Sequence, residues 1–197
     1  MADPLYLSLW FPDFEEAEMM PHMLAVLRQF PFSQQRPGIT NVALHPVSWN
    51  EPTILERKFK SGIPPEEAIL LAADLLHDDY AYVFDAYWDL WSLTDGVQQW
   101  SLEPSPVRFI AHGAEFDEHT AEHSGHIQVD FGFDTPFLHE ELSLAGEAET
   151  RVRSNIHQLV DFTNKVEQNS GASGRLLWSE SEENLAQKLI ARLQKVQ

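Results

Sequence analysis

The sequence predicts an α+β fold in which helices cover an antiparallel-rich sheet. Three observations carry this. From residue 5 to residue 91 the chain reads as strand, helix, strand, strand, helix, strand. The stretch Asp78–Trp100, DDYAYVFDAYWDLWSLTDGVQQW, sets seven aromatic residues largely in a two-residue alternation. Two apolar stripes at helical spacing, over about 147–166 and 185–193, follow in the last third.

Taken in order, Leu5–Phe11 alternates, with Leu5, Leu7, Leu9 and Phe11 on one side, and Pro12-Asp13 ends it. Pro21 interrupts the next segment. That predicts a short turn at 14–19 and a main helix from about Pro21, with Met20, Met23, Leu24, Leu27 and Phe30 on one face. Breakers from Pro31 to Gly38 make a loop. Ile39–Trp49 and Pro52–Phe59 read as two strands joined at Asn50-Glu51. Pro64, Pro65, Glu66 and Glu67 start a second helix, with proline early and acids in the first turn. In the aromatic strand that follows, Tyr80, Tyr82, Phe84, Ala86, Trp88 and Leu90 face one side and line a core. Ala81, Val83, Asp85, Tyr87, Asp89 and Trp91 face the other. No proline occurs from 80 to 103, which predicts an interior strand over 80–90. The resulting β-α-β-β-α-β order of the first half is ferredoxin-like, a likeness of topology that brings no function with it.

Beyond a turn at Thr94-Asp95-Gly96 come a strand at Val107–Ala111, a His- and Glu-rich loop, a strand at His126–Phe133 and an irregular stretch to Gly146. A long helix is expected from about Glu147 to Val166, with Val152, Ile156, Leu159, Val160, Thr163 and Val166 on its stripe. A short strand at Arg175–Trp178 and a last helix complete the chain. Ser179 and Glu182 have capping-box spacing ahead of that helix, and Leu185, Leu189, Ile190 and Leu193 are its buried residues. At 197 residues the expectation is one α+β domain, with lobes 1–96 and 97–197 as the alternative.

A hydrophobic fraction of 43% and a charged fraction of 22% exclude a disordered chain. The absence of cysteine excludes disulfides, thiolate chemistry and Cys-ligated metals. With neither a signal-like N-terminal pattern nor an apolar run of membrane-spanning length, the expectation is a cytoplasmic protein away from membranes. The net charge of −18 is localised: residues 61–150 hold 19 acids and one base, Arg108. Such a segment disfavours direct contact with nucleic acid or anionic lipid and suits a basic protein partner.

Two groups of residues are candidates for a site. The outward row of the aromatic stretch offers Asp85, Asp89, Tyr87 and Trp91, joined by Trp100, as acids and aromatic anchors for such a partner. The stretch HGAEFDEHTAEHSGH places His119 and His123 four residues apart, near His112, His126 and Asp130. If helical, that spacing puts two imidazoles on one face, as a zinc, manganese or iron site requires. Thr120 stands where the catalytic glutamate of an HExxH motif would be. No phosphate-loop, dinucleotide or nucleophile-elbow signature occurs. The leading expectation is therefore a non-catalytic binding protein without a cofactor, whose charge suits an inhibitor or immunity-type role. The alternative is an enzyme using a divalent transition metal held by the His/Asp cluster at 112–134.

Overall fold

Strand register decides which residues of this protein meet. The computed structural model describes residues 2–94, 99–140, 142–180 and 185–194. Seven strands form one sheet: β1 (Pro4–Trp10), β2 (Ile39–Pro46), β3 (Leu55–Ile63), β4 (Tyr80–Thr94), β5 (Gln99–His112), β6 (Ile127–Phe133) and β7 (Gly174–Ser179). Their order across the sheet is β3-β2-β4-β5-β6-β1-β7, and every neighbouring pair is antiparallel. The helices are α1 (Glu16–Leu27), α2 (Pro65–Ala73), α3 (Thr120–Ser124), α4 (Thr135–Leu138), α5 (Glu147–Asn169) and α6 (Leu185–Gln194).

This is the expected α+β architecture, and the chain does run β-α-β-β-α-β as far as β4. In the sheet, however, β1 pairs with β6 and β7 and with none of β2, β3 or β4. The first half therefore does not close into a four-stranded unit of its own. The long β4–β5 hairpin carries the sheet across the 96/97 boundary, pairing Ala81 with His112 at one end and Thr94 with Gln99 at the other.

The alternation expected of β4 is present. Tyr82, Phe84, Ala86, Trp88 and Leu90 are buried, while Asp85, Tyr87, Asp89 and Trp91 are half-buried on the other side. From Tyr80 to Asp85 the strand is interior as expected, with β2 on one flank and β5 on the other, and beyond Asp85 only β5 pairs with it. Trp88 lies against Phe131 at 5.2 Å and Phe30 at 5.4 Å between ring centroids, with Phe162 of α5 edge-on at 6.4 Å. Burying an aromatic or large aliphatic side chain stabilises by roughly 1.5–3 kcal/mol, so this cluster holds the helices to the sheet. It joins Leu5, Leu7 and Leu9 of β1 to Met19 and Met23 of α1 and Leu159 of α5.

Several elements depart from expectation. α1 runs unbroken from Glu16 through Pro21 rather than starting near it. A proline this close to the start forfeits one backbone bond, and buried Met19, Met20 and Met23 hold both sides of it down. β5 is longer than Val107–Ala111 and contains Pro104 and Pro106. It pairs with β6 only over Arg108–Ala111, so both prolines lie on a free edge, where a missing N–H costs nothing. On α5, Val160 is 36% exposed, while Asn155 and Phe162 are buried instead. On α6, Leu185 and Leu189 are buried and Ile190 is exposed. The capping-box Glu182, the Asp95-Gly96 turn and the side chain of Leu193 lie outside the described residues.

Candidate functional site

Helices other than α3 cover one face of the sheet; the other face is divided, and α3 lies against it, with Ser8 and Trp10 donating to its Ser124 and Ala121 carbonyls. At one end, Ala43, Ala81, Val83, Ile110 and Phe116 form a second, small core beneath the 113–119 loop. Trp49 closes it edge-on, 4.9 Å from Phe116 and 6.1 Å from His112 between ring centroids. At the other end the face is open. Register lines up one transverse row there: Lys58, Asn41, Asp85, Arg108, Asp130, Tyr6 and Trp178, one from each strand.

In the middle of this row, Arg108 clamps Asp85 with two bonds, Nε to Oδ1 at 2.7 Å and Nη2 to Oδ2 at 3.1 Å. Asn41 Nδ2 donates to Oδ2 of the same carboxylate at 3.0 Å. The bidentate bond to Asp85 raises the pKa of Arg108, with further support from Asp130 and Glu56. One Asp130 oxygen accepts the Gly132 N–H at 2.8 Å, in a turn where Gly132 has φ +75° and a side chain would be strained.

The five residues expected to face a partner all hold contacts within the chain. Asp85 is clamped as described. Asp89 accepts from the Ser33 hydroxyl at 2.5 Å and the Gln34 N–H at 3.0 Å, pinning the loop before β2. The Arg36 guanidinium covers the Tyr87 ring at 3.8 Å, and that of Arg151 covers Trp91 at 3.5 Å. Trp100 is half-buried against the core and edge-on to His139.

The histidines also have separate partners. His112 is buried, with Nδ1 2.9 Å from the Gly125 carbonyl, and burial lowers its pKa to about 4. His126 Nδ1 accepts the Phe11 N–H at 2.9 Å and its ring stacks on Phe14, burial again lowering the pKa. His119 precedes α3 with a left-handed backbone and lies 2.8 Å from the Ala114 carbonyl. His123, on α3, is exposed. Among the described residues, no three His, Asp or Glu side chains gather as a metal-holding group. The cluster His112, His119, His123, His126 and Asp130 is spread over both ends of the sheet face and the loop between them.

Sequence reasoning passed over two features. The first is the basic rim of the open end, where Lys58 and Lys60 alternate along β3; the period-two pattern of that strand carried this signal. The second is an acidic end formed where backbone bonds lace three loops together. Val47 N–H donates to Asp79 O, Asp117 N–H to Val47 O, and Glu115 N–H to Asp78 O. Gly113 admits this closeness, since a Cβ there would collide with the Asp78 carbonyl. Asp74, Asp78, Asp79, Glu115, Asp117, Glu118 and Glu122 gather on and beside these loops. Among the described residues none of the seven has an ion-pair partner. Val47 (54% exposed) and Trp49 (39%) stand among them. No family model, curated protein or solved structure matches the chain.

Among the described residues, no helix is long and apolar enough to cross a membrane.

Proposed function

We propose that this is a non-catalytic binding protein that recognises a basic protein partner, and that the contact centres on the acidic end of the sheet. One observation carries this: Asp78, Asp79, Glu115, Asp117 and Glu118, without ion partners among the described residues, lie on the three interlocked loops that carry exposed Val47 and Trp49. Carboxylates without internal partners keep their field for an incoming cation, whereas Asp85 and Asp89 spend theirs inside the fold. The apolar residues supply what charge lacks, an anchor that gains once water is excluded. Support also comes from the backbone: Val47, Asp117, Glu118 and His119 all have positive φ, a costly conformation outside glycine, and all lie in this end.

The test is the kinetics of a lysine- and arginine-rich probe peptide binding to the immobilised protein. The variant Asp78→Asn/Glu115→Gln/Glu118→Gln should lower the association rate about tenfold at low salt. The variant Glu103→Gln/Glu147→Gln/Glu180→Gln removes the same charge toward the opposite end of the sheet and should change it less than about twofold. Trp49→Ala should mainly speed dissociation. Equal slowing by the two triple variants would mean that net charge alone attracts the peptide, and the proposal would fail.

A further inference from the structure

The open end of the sheet face is a depression of about 720 Å³, a size that takes a small organic molecule. Its floor is the row Lys58, Asn41, Asp85, Arg108 and Asp130, and Arg36 and Lys60 stand on its rim. Lining it are four bases (Arg36, Lys58, Lys60, Arg108) and three acids (Glu56, Asp85, Asp130), an excess of one positive charge on a chain of net −18. The pairing leaves that excess at one, with Glu56 and Asp130 as the remaining acids. Asp85 is taken by Arg108, whereas Arg36, Lys58 and Lys60 have no ion partner among the described residues. Arg36 is instead held flat over Tyr87, which fixes its guanidinium at the rim.

A second, independent feature points to a ligand. Asn41 is 9% exposed and its Nδ2 is committed to Asp85, but its Oδ1 has no hydrogen-bond partner among the described residues. A buried acceptor left unpaired is costly, and this one lines the depression. It calls for a donor from outside, a hydroxyl or an N–H. Three cations without ion partners among the described residues, against Glu56 and Asp130, call for an added anion.

From these features we infer that the depression binds a phosphate monoester that also carries hydroxyl groups. The phosphate dianion would sit among Arg36, Lys58 and Lys60, and a hydroxyl would donate to Asn41 Oδ1. Lysine holds phosphate as a point charge and arginine through its donor fork, so this rim suits phosphate geometry. Sugar phosphates and nucleoside monophosphates share the required chemistry.

Calorimetric titration with ribose 5-phosphate, adenosine monophosphate, inorganic phosphate and ribose tests this. Ribose 5-phosphate should bind saturably, tighter than inorganic phosphate, while ribose should not bind. A nucleotide source would be marked by monophosphate binding at least tenfold tighter than ribose 5-phosphate. Equal affinities would mark a sugar phosphate. Lys58→Gln/Lys60→Gln should weaken binding at least tenfold. Arg57→Gln, on the other face of β3 and outside the lining, should leave it unchanged. Asn41→Ala should weaken ribose 5-phosphate and leave inorganic phosphate unaffected. Failure of all phosphates to saturate, or equal weakening by the Arg57 variant, would overturn the inference. The site lies at the opposite end of the face from the acidic loops, so either proposal can fail without the other.

Discussion

Asn155 is the residue whose loss should reveal how the helix layer is tied to the sheet. β2 pairs with β4 only as far as Asp85, so beyond that residue β4 has a bare flank. Three groups fill it. Ser33 N–H donates to Tyr87 O at 2.7 Å, Gln158 Nε2 to Asp89 O at 3.3 Å, and Asn155 takes both backbone groups of Trp91. Asn155 Oδ1 accepts Trp91 N–H at 2.8 Å, while its Nδ2 donates to Trp91 O at 2.8 Å and to Pro136 O at 2.9 Å. The amide thus acts as one residue of a missing strand, and it is 2% exposed. Replacing it by alanine leaves one backbone donor and two acceptors unpaired. A stranded buried group costs about 1–3 kcal/mol, less for a carbonyl with a second lone pair, so Asn155→Ala should cost about 3–5 kcal/mol. Asn155→Asp keeps the acceptor and loses both donations, and should destabilise comparably because a carboxylate would then face two carbonyls. Asn169→Ala, which removes one exposed bond from the end of the same helix, serves as the control and should cost under about 1 kcal/mol. Urea unfolding followed by far-ultraviolet circular dichroism measures all three, with unchanged m-values required for the comparison. If alanine at 155 costs no more than alanine at 169, β4 is satisfied in some other way and the strand-completion argument is wrong.

Two further outcomes follow from α1 and from the small core. Pro21→Ala should stabilise the protein by about 1–2 kcal/mol, because the helix interior regains a backbone donor while the unfolded chain regains only part of its entropy; thermal and urea unfolding check it, and a loss of stability would mean that the ring itself packs usefully. His112 is neutral in the fold, with a pKa of about 4 against 6.5 for the free group, since burial outweighs the Gly125 carbonyl and the Asp117 charge. Its contribution is therefore fully present above pH 6.5 and is lost as pH falls toward 4, where the unfolded chain alone takes up the proton. Between pH 7.5 and 5.0 that loss is about 2 kcal/mol. His112→Gln should reduce the difference in unfolding free energy between these pH values by that amount, and an unchanged difference would refute the assignment.

Period-two patterns were the most legible feature of the chain, because strand geometry leaves a residue only two directions. Tyr82, Phe84 and Trp88 are core residues for that reason, and Asp85 and Tyr87 face away from them. Helix stripes were less sharp. Asn155 lies on the buried stripe of α5 and hydrophobicity alone skips it, although a polar residue in such a place signals a backbone in need of partners. Strand order was not legible at all. That β1 sits between β6 and β7 depends on contacts spanning most of the chain, and no local pattern encodes it. The candidate sites suffered from the same limit. Asp89 reads as a surface acid until the loop at 33–34 folds onto it. Lys58 and Asn41 belong to one row only because β2 and β3 pair in one register.

The same register explains how one acidic segment yields two sites of opposite sign. Several acids of residues 61–150 are answered from outside it: Glu66 by Arg28, Glu140 by Lys188, Glu147 by Arg151 and Glu149 by Arg153. Arg28 caps the end of α1, Lys188 sits on α6, and Arg151 and Arg153 stand one turn along α5 from their acids. The loops at one end of the sheet have no such neighbour among the described residues, so the carboxylates of Asp78, Glu115 and Glu118 have no ion partner there. The bases of β3 lie across the sheet from them, at its edge, where exposed lysines also guard against strand-to-strand association. Along β4 the two ends are four to six residues apart, from Ala81 to Asp85 and Tyr87, or roughly 13–20 Å at the rise of a strand. That exceeds the screening length of about 8 Å at physiological salt, so neither charge population neutralises the other. A cationic protein at one end and a phosphate ester at the other can therefore be held at once. Filling either site should change the affinity of the other by less than about twofold at that salt, and a larger coupling would require a conformational link between them.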